Sequence, residues 1–335
     1  MPLRVAQARL DNSASLFRRV LYYVFYDWTR EMPRSKRLIT WSGILIQGYA
    51  VYSLWARSFV WPVMWPRGIS LYVSAWLLYC LGSGIMNGML TSEFVRKTQL
   101  EADQLAAQQI QRTLHPEEVE RLSGYKVETY YKPFRDVGGD YFDVIELAGN
   151  RTLFAVADVS GKGMPAALLA ANIQALVRSI AMAETDPLAM ARQINRHLSR
   201  YTPSDRFATA VFIVLSRETG KLAYVNAGHN APLVFGPGAT TSLSATGMPL
   251  GLFPEAPYES RTAVLSPGGA LLVFTDGLTD SIPGENPEHR LRDALADSSQ
   301  RKMPLLKSLV DPKFNQDDVT ILLVKRDTAY SNRPA

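Results

Sequence analysis

Two long apolar runs open the chain, and a train of short ones follows. Residues 38–56 (LITWSGILIQGYAVYSLWA) and 69–90 (ISLYVSAWLLYCLGSGIMNGML) carry no charge over 19 and 22 residues. Roughly 20 apolar residues let a helix cross a hydrocarbon core, so both runs predict transmembrane helices. The 55 residues between Arg37 and Glu93 hold two charges, Arg57 and Arg67, where the chain's 20% charged composition would place about eleven. The connecting SFVWPVMWPRG predicts an interfacial turn, with Trp61, Trp65 and two prolines at headgroup level. The alternative is a buried helical hairpin in a soluble domain. Upstream, LFRRVLYYVFYDW (16–28) reads as a segment in the membrane plane, and the late first run argues against a cleaved signal peptide.

Residues 92–114 hold good helix formers and neither Gly nor Pro, which predicts a continuous helix ending at His115-Pro116. Leu100, Ala107 and Leu114 recur every seven residues, although Asp103 breaks the companion seam, so a homodimer through this helix is an option rather than a requirement. Beyond it, YKVETYY, YFDVIEL, TLFAVAD, FATAVFIVL, KLAYVNA, ALLVFTD and VTILLVK predict strands. Two apolar-faced stretches, 163–183 and 187–201, predict helices. Strands interrupted by one helical pair point to an α+β domain with mainly antiparallel sheets. The organisation read from the pattern is a basic segment 1–37, a membrane hairpin 38–92, a linker helix 93–115, a domain 116–327 and a tail 328–335.

Charge sharpens this division. Residues 1–115 carry 13 Lys/Arg against 6 Asp/Glu, a net +7, whereas 116–335 carry 23 against 25, a net −2. The overall +5 therefore belongs to the anchor and gives no support for nucleic-acid binding. Eight basic residues precede the first run, and Arg96 and Lys97 follow the second, which puts both termini in the cytoplasm. The single cysteine, Cys80, excludes a disulfide scaffold and lies within a predicted span.

Acidic residues mark the strand ends. Asp140 precedes one predicted strand, Asp158 and Asp276 close two others, and Asp317 and Asp318 precede the last. Antiparallel pairing sets the end of one strand beside the start of the next, so these acids can meet at one sheet edge. A lone Asp at a strand end is ordinarily a turn-maker, but several together repel unless a cation neutralises them. Oxygen ligands favour the hard ions Mg²⁺ and Mn²⁺.

Taken in order, VGGDYFD, ADVSGKGMPAAL, RFATAVF, NAGHNAPL, GMPLGL, FTDGLTDS and QDDVT resemble the SpoIIE/RsbU-type branch of the metal-dependent PPM phosphatases, and QQIQRTLHP resembles the segment preceding that domain. The resemblance covers roughly residues 105–327. It implies an α-β-β-α sandwich, two Mn²⁺ or Mg²⁺ ions, and phosphoserine or phosphothreonine proteins as substrates, often anti-sigma-factor antagonists of the STAS type. With the membrane hairpin, it implies a protein of the bacterial inner membrane. It assigns Asp140, Asp158, Asp276 and Asp317 as metal ligands, with the Val159 carbonyl as a further one and Asp318 as the competitor of Asp317. Arg135 and Lys162 are the candidate substrate contacts. The implied chemistry is hydrolysis by a water shared between two metals.

Some positions depart from the family pattern: Phe134 stands where small residues are usual, Asp280 replaces the Glu expected after TDG, and Ser160 occupies the place of a histidine acid. His229 reads as a hydrogen-bonded structural residue, and His115, His197 and His289 as surface or packing residues. GGDYF resembles a diguanylate cyclase signature, but Tyr141 replaces its acidic fourth residue. The competing function is a membrane-tethered pseudophosphatase that binds a partner without turnover. The absence of charge within the runs argues against a transporter.

Overall fold

The structure, a computed structural model, describes residues 34–58, 65–114, 121–203, 205–236, 239–283, 286–296, 302–310 and 317–328. The in-plane segment at 16–28, Trp61 and His115 lie outside the described residues. The chain divides into two compact units, Met1–Ala102 and Asp103–Ala335.

In the first unit, helix α1 spans Arg34–Ser58, and helix α2 begins at Trp65 and runs to Leu114, reaching into the second unit. Trp65 and Pro66 thus open a helix instead of sitting in the expected turn; proline's missing N–H costs nothing in a first turn. The two helices meet through small residues. A Cβ on Gly82 would lie 2.8 Å from Gln47 Cγ and 3.1 Å from the Gly43 carbonyl. Thr40, Ala50, Ser53 and Ala75 are buried, while Leu38, Leu45, Trp55 and Trp76 are 63–72% exposed. That is the reverse of a water-soluble helix pair, whose large apolar side chains turn inward. Hydroxyls spend their bonds on the helix itself, as Ser42 does on the Ile39 carbonyl and Ser53 on that of Ala50.

The second unit contains two antiparallel sheets. Strands β1 (Arg121–Leu122), β2 (Tyr125–Lys132), β7 (Leu233–Gly236), β8 (Ala239–Ser242), β10 (Ala270–Phe274) and β11 (Val319–Arg326) form one, in the order β1-β2-β11-β10-β7-β8. Strands β3 (Tyr141–Leu147), β4 (Arg151–Val159), β5 (Ala208–Ser216), β6 (Lys221–Ala227) and β9 (Arg261–Val264) form the other, in sequence order. Successive residues of a strand face opposite sides, so a strand covered on both sides must be apolar throughout. In β4, Phe154 and Val156 join the core between the sheets, with Tyr125, Phe142, Ile213, Val273 and Leu322. Its alternate residues Leu153, Ala155 and Ala157 pack under helices α3 (Met164–Ala181) and α4 (Pro187–Tyr201). The outer face of the first sheet, with Leu272, Phe274, Ile321 and Leu323, is covered by α5 (Asp276–Asp280), α6 (Pro287–Ala296) and α7 (Lys302–Leu309). The result is the expected α-β-β-α sandwich.

Two helices among the described residues are long and apolar enough to cross a membrane: the Val73–Leu114 stretch of α2, and α3. The latter is a core helix, with Ala166, Ile173 and Val177 buried against the sheet. At 25 residues α1 is long enough but is not one of the two.

Candidate functional site

The register of the sheets brings the acids together. Tyr141 pairs with Ala157, so Asp140 at the entry of β3 lies beside Asp158 near the end of β4. In the opposing sheet Phe274 pairs with Ile321, which sets Asp276, just past β10, beside the residues that lead into β11. Strand ends of both sheets therefore share one edge of the sandwich. No three of these carboxylates close into a tight cage among the described residues.

Asp140 is 2% exposed, and its Oδ2 accepts hydrogen bonds from Thr275 Oγ1 at 2.8 Å and Thr320 Oγ1 at 2.6 Å. Burial and the nearby Asp158 carboxylate push its pKa well above the ordinary carboxylate range. Asp158 is pushed up to about 7, by burial first and then by Asp276, Asp317 and Asp318. Asp276 is raised by burial, Asp280 and Asp317. Such mutual repulsion makes a strong field for a cation, and every donor offered is an oxygen. The donor set therefore fits a hard divalent metal.

Asp317 and Asp318 diverge. Asp317 Oδ2 lies 2.7 Å from the Lys162 ammonium, which also stands 5.3 Å from the Phe134 ring centroid. Asp318 turns the other way, accepting the Phe134 N–H on Oδ1 at 2.7 Å and the Gly139 N–H on Oδ2 at 2.6 Å. It thereby ties down the loop that delivers Asp140. Gly138 in that loop admits no side chain: a Cβ there would collide with the Tyr131 hydroxyl and the Asp318 carboxylate. A Cβ on Gly139 would press within 3.2 Å of the Val159 carbonyl, which shows how near the backbone of the two acid-bearing segments runs. Arg135 lines a shallow cleft with Phe134, Val137, Lys162, Gly163, Asp317 and Asp318.

The remaining candidates are placed elsewhere or locked. His229 is buried, its Nδ1 3.0 Å from Thr209 Oγ1, and its backbone N–H donates to Asn226 Oδ1 at 2.7 Å. Burial lowers its pKa to about 4, so the ring is neutral near pH 7 and carries no extra proton to donate there. Ser160 accepts the Phe207 N–H on Oγ at 3.0 Å, while its carbonyl accepts from Arg206 at 3.1 Å. His197 stacks obliquely on Tyr201, with ring centroids 4.9 Å apart, and His289 is exposed on α6.

Three contributors lie inside the quoted motifs but were not singled out by the pattern. Thr275 and Thr320 look like ordinary strand threonines, and Gln111 like a polar helix position. Gln111 nevertheless reaches the Asp140 loop, donating to the Gly138 carbonyl at 2.6 Å and accepting its N–H at 3.0 Å.

Comparison with known proteins gives a single family. The sequence model described as Stage II sporulation protein E (SpoIIE) matches residues 148–327. The phosphoserine phosphatase RsbP of Bacillus subtilis (strain 168) is 24% identical over 208 residues, which cover 59% of this chain and 52% of RsbP. RsbU of the same organism is 23% identical over 234 residues, 66% of this chain and 69% of RsbU. The chain thus spans about half the length of RsbP and about two thirds of RsbU. Among solved structures, the SiaA-PP2C domain of Pseudomonas aeruginosa superposes with a TM-score of 0.59 at 23% identity, over 69% of this chain and 99% of that domain. With over half its length matched by the family model on a PP2C-like sandwich, the chain belongs to the SpoIIE/RsbU-type branch of the PPM phosphatase family.

Proposed function

We propose that this protein is a membrane-anchored, metal-dependent phosphoserine/phosphothreonine protein phosphatase whose second unit faces the cytoplasm. The observation that carries the reading is the meeting of Asp140, Asp158, Asp276 and Asp317 at one edge of the sandwich, with Asp158 pushed up to about 7 by burial and its neighbours. A binding surface gains nothing from carboxylates that oppose each other, whereas a cation site requires them. Asp140, Asp158, Asp276, Asp317 and the Val159 carbonyl would hold two Mg²⁺ or Mn²⁺ ions. When bound, these ions supply an acidified water and charge neutralisation at a phosphate.

The chain's own side chains do the rest. Both oxygens of Asp318 accept backbone N–H groups, and Asp317 accepts the Asp318 N–H on Oδ1 and pairs with Lys162 through Oδ2; motif position favours Asp317 as the ligand of the pair. Arg135 lines the cleft beside Asp317, where a guanidinium fork suits a phosphate ester. Lys162 adds a second positive charge in the same cleft. The family resemblance favours a phosphorylated STAS-type protein as substrate.

Anchoring is supported by the inside-out hairpin of α1 and α2, with small and hydroxyl residues inside and Leu38, Leu45, Trp55 and Trp76 outside. Full-length protein in detergent micelles is expected to release phosphate from a phosphoserine peptide only with Mn²⁺ or Mg²⁺, and Asp158→Ala is expected to abolish turnover. Persistent inactivity of folded protein at saturating Mn²⁺ would instead establish the pseudophosphatase. Extraction from membranes by salt alone would dismiss the anchor.

A further inference from the structure

Thr275 and Thr320 are two wholly buried hydroxyls at the site edge of a sheet whose other buried positions, Arg326 at the far end of β11 apart, are apolar. A buried hydroxyl costs stability unless bonded, and either could be replaced by valine without change of shape. Both instead donate to one atom, Asp140 Oδ2, across the gap between the sheets. The arrangement is directional. Thr275 Oγ1 already accepts the Thr320 N–H at 3.0 Å, which turns its own proton outward. Of its two acceptors, Asp140 at 2.8 Å is much nearer than the Asp318 carbonyl at 3.4 Å. The Thr275 N–H donates to the Thr320 carbonyl at 3.2 Å, so the two residues form one rigid bracket. Asp140 Oδ1, in contrast, accepts no hydrogen bond among the described residues.

We infer that Thr275 and Thr320 are positioning residues for the divalent cation: they hold Asp140 by one oxygen and so present the other to the metal. The inference rests on the cation reading above. The bracket has a second effect. Thr275 immediately precedes Asp276, and Thr320 follows Asp318 by two residues. Bonding both to Asp140 fixes the spacing between the acids of one sheet and that of the other. Partners of this kind typically contribute 10–100-fold to metal affinity.

The test is calorimetric titration of Mn²⁺ into full-length protein in detergent micelles, paired with thermal melts in EDTA. Thr320→Val and Thr275→Val are expected to weaken Mn²⁺ binding at least about tenfold each, while Thr→Ser at either position stays within about threefold of the parent because the hydroxyl is kept. Valine variants that fold and bind Mn²⁺ as the parent does overturn the inference. So do serine variants as weak as valine, because the loss would then lie in the methyl group. Should a valine variant fail to fold, Thr→Cys, of similar shape and a poor donor, is titrated in its place with the same two outcomes. Parent protein that binds no Mn²⁺ overturns the cation reading itself, a result distinct from parent-like binding by the variants.

Discussion

Gln111 pairs its side-chain amide with the peptide of Gly138 through two hydrogen bonds, 2.6 Å to the carbonyl and 3.0 Å from the N–H. Both groups are buried, and Gly138 stands two residues before Asp140. The partner of this loop therefore lies in the final turn of α2, outside the 148–327 stretch that the family model matches. Leu114, at the end of the same helix, accepts a second tie from Gln174 of α3.

Replacing Gln111 by alanine leaves the Gly138 N–H and carbonyl unsatisfied in a buried place. The cost is about 1–3 kcal/mol, since an orphaned buried group loses its full desolvation energy. For a unit of this size each kcal/mol lowers the melting temperature by roughly 2–4 °C. Gln111→Ala is expected to melt earlier by that measure in EDTA. It is also expected to need more Mn²⁺ for half-maximal turnover, because the Asp140 loop is freed. An unchanged melt would mean that the pairing contributes nothing.

His229 gives a pH dependence. Its folded value, about 4, lies below the ordinary 6.5, because burial disfavours the charged ring. The unfolded chain thus takes up a proton that the folded chain refuses. Stability is present in full above pH 6.5 and is lost as pH falls towards 4, by at most about 3 kcal/mol. Urea titrations from pH 7 to 4 should show this slope in the parent. They should show a shallower one in His229→Gln, which does not titrate.

The acids were legible because they punctuate strongly apolar strands, and antiparallel pairing alone then draws strand starts to strand ends. Motif position favoured Asp317 over Asp318, but the different surroundings of the two were not legible. Adjacent residues entering a strand face opposite ways, and only the structure shows Asp318 bonded to Phe134 and Gly139 while Asp317 faces Lys162. Thr275 and Thr320 were hidden because threonine is common in strands for reasons unrelated to metals. Gln111 was hidden by distance, 27 residues from its partner along the chain. Strands β7, β8 and β9 are four residues each, too short for alternation to declare itself. Helix α5 was obscured because its five residues, DGLTD, lie inside the FTDGLTDS motif.

The divergence of the acid pair separates two variants. Asp317→Asn is expected to weaken Mn²⁺ binding by more than the roughly 10–100-fold of an outer partner, with little change in the EDTA melt, because its ion pair with Lys162 is partly exposed. Asp318→Asn should do the opposite. Its amide can accept only one of the two N–H groups, which removes a charge-assisted bond of about 1.5–3 kcal/mol. Melts in EDTA together with Mn²⁺ titrations distinguish the two; identical behaviour would contradict the assignment of Asp317 to the metal.

The anchor makes its own prediction at Gly82. A side chain there must enter the space held by Gln47 and the Gly43 carbonyl, where even a Cβ would sit at 2.8 and 3.1 Å. Backbone cannot yield as a flexible side-chain tip can, and overpacking of this kind costs about 1–3 kcal/mol. Gly48, in the same hairpin, has nothing within 4 Å of its Cβ position. Leucine is a better helix former than glycine by up to about 1 kcal/mol and suits lipid as well as any residue, so Gly48→Leu is expected to be neutral or stabilising. In detergent micelles Gly82→Leu should therefore lower the resistance of α1 and α2 to protease, and Gly48→Leu should not. Equal resistance in both would show that the helices do not pack through Gly43 and Gly82. A loss confined to Gly82→Leu places the hairpin contact at these small residues, leaving the large apolar side chains to face lipid.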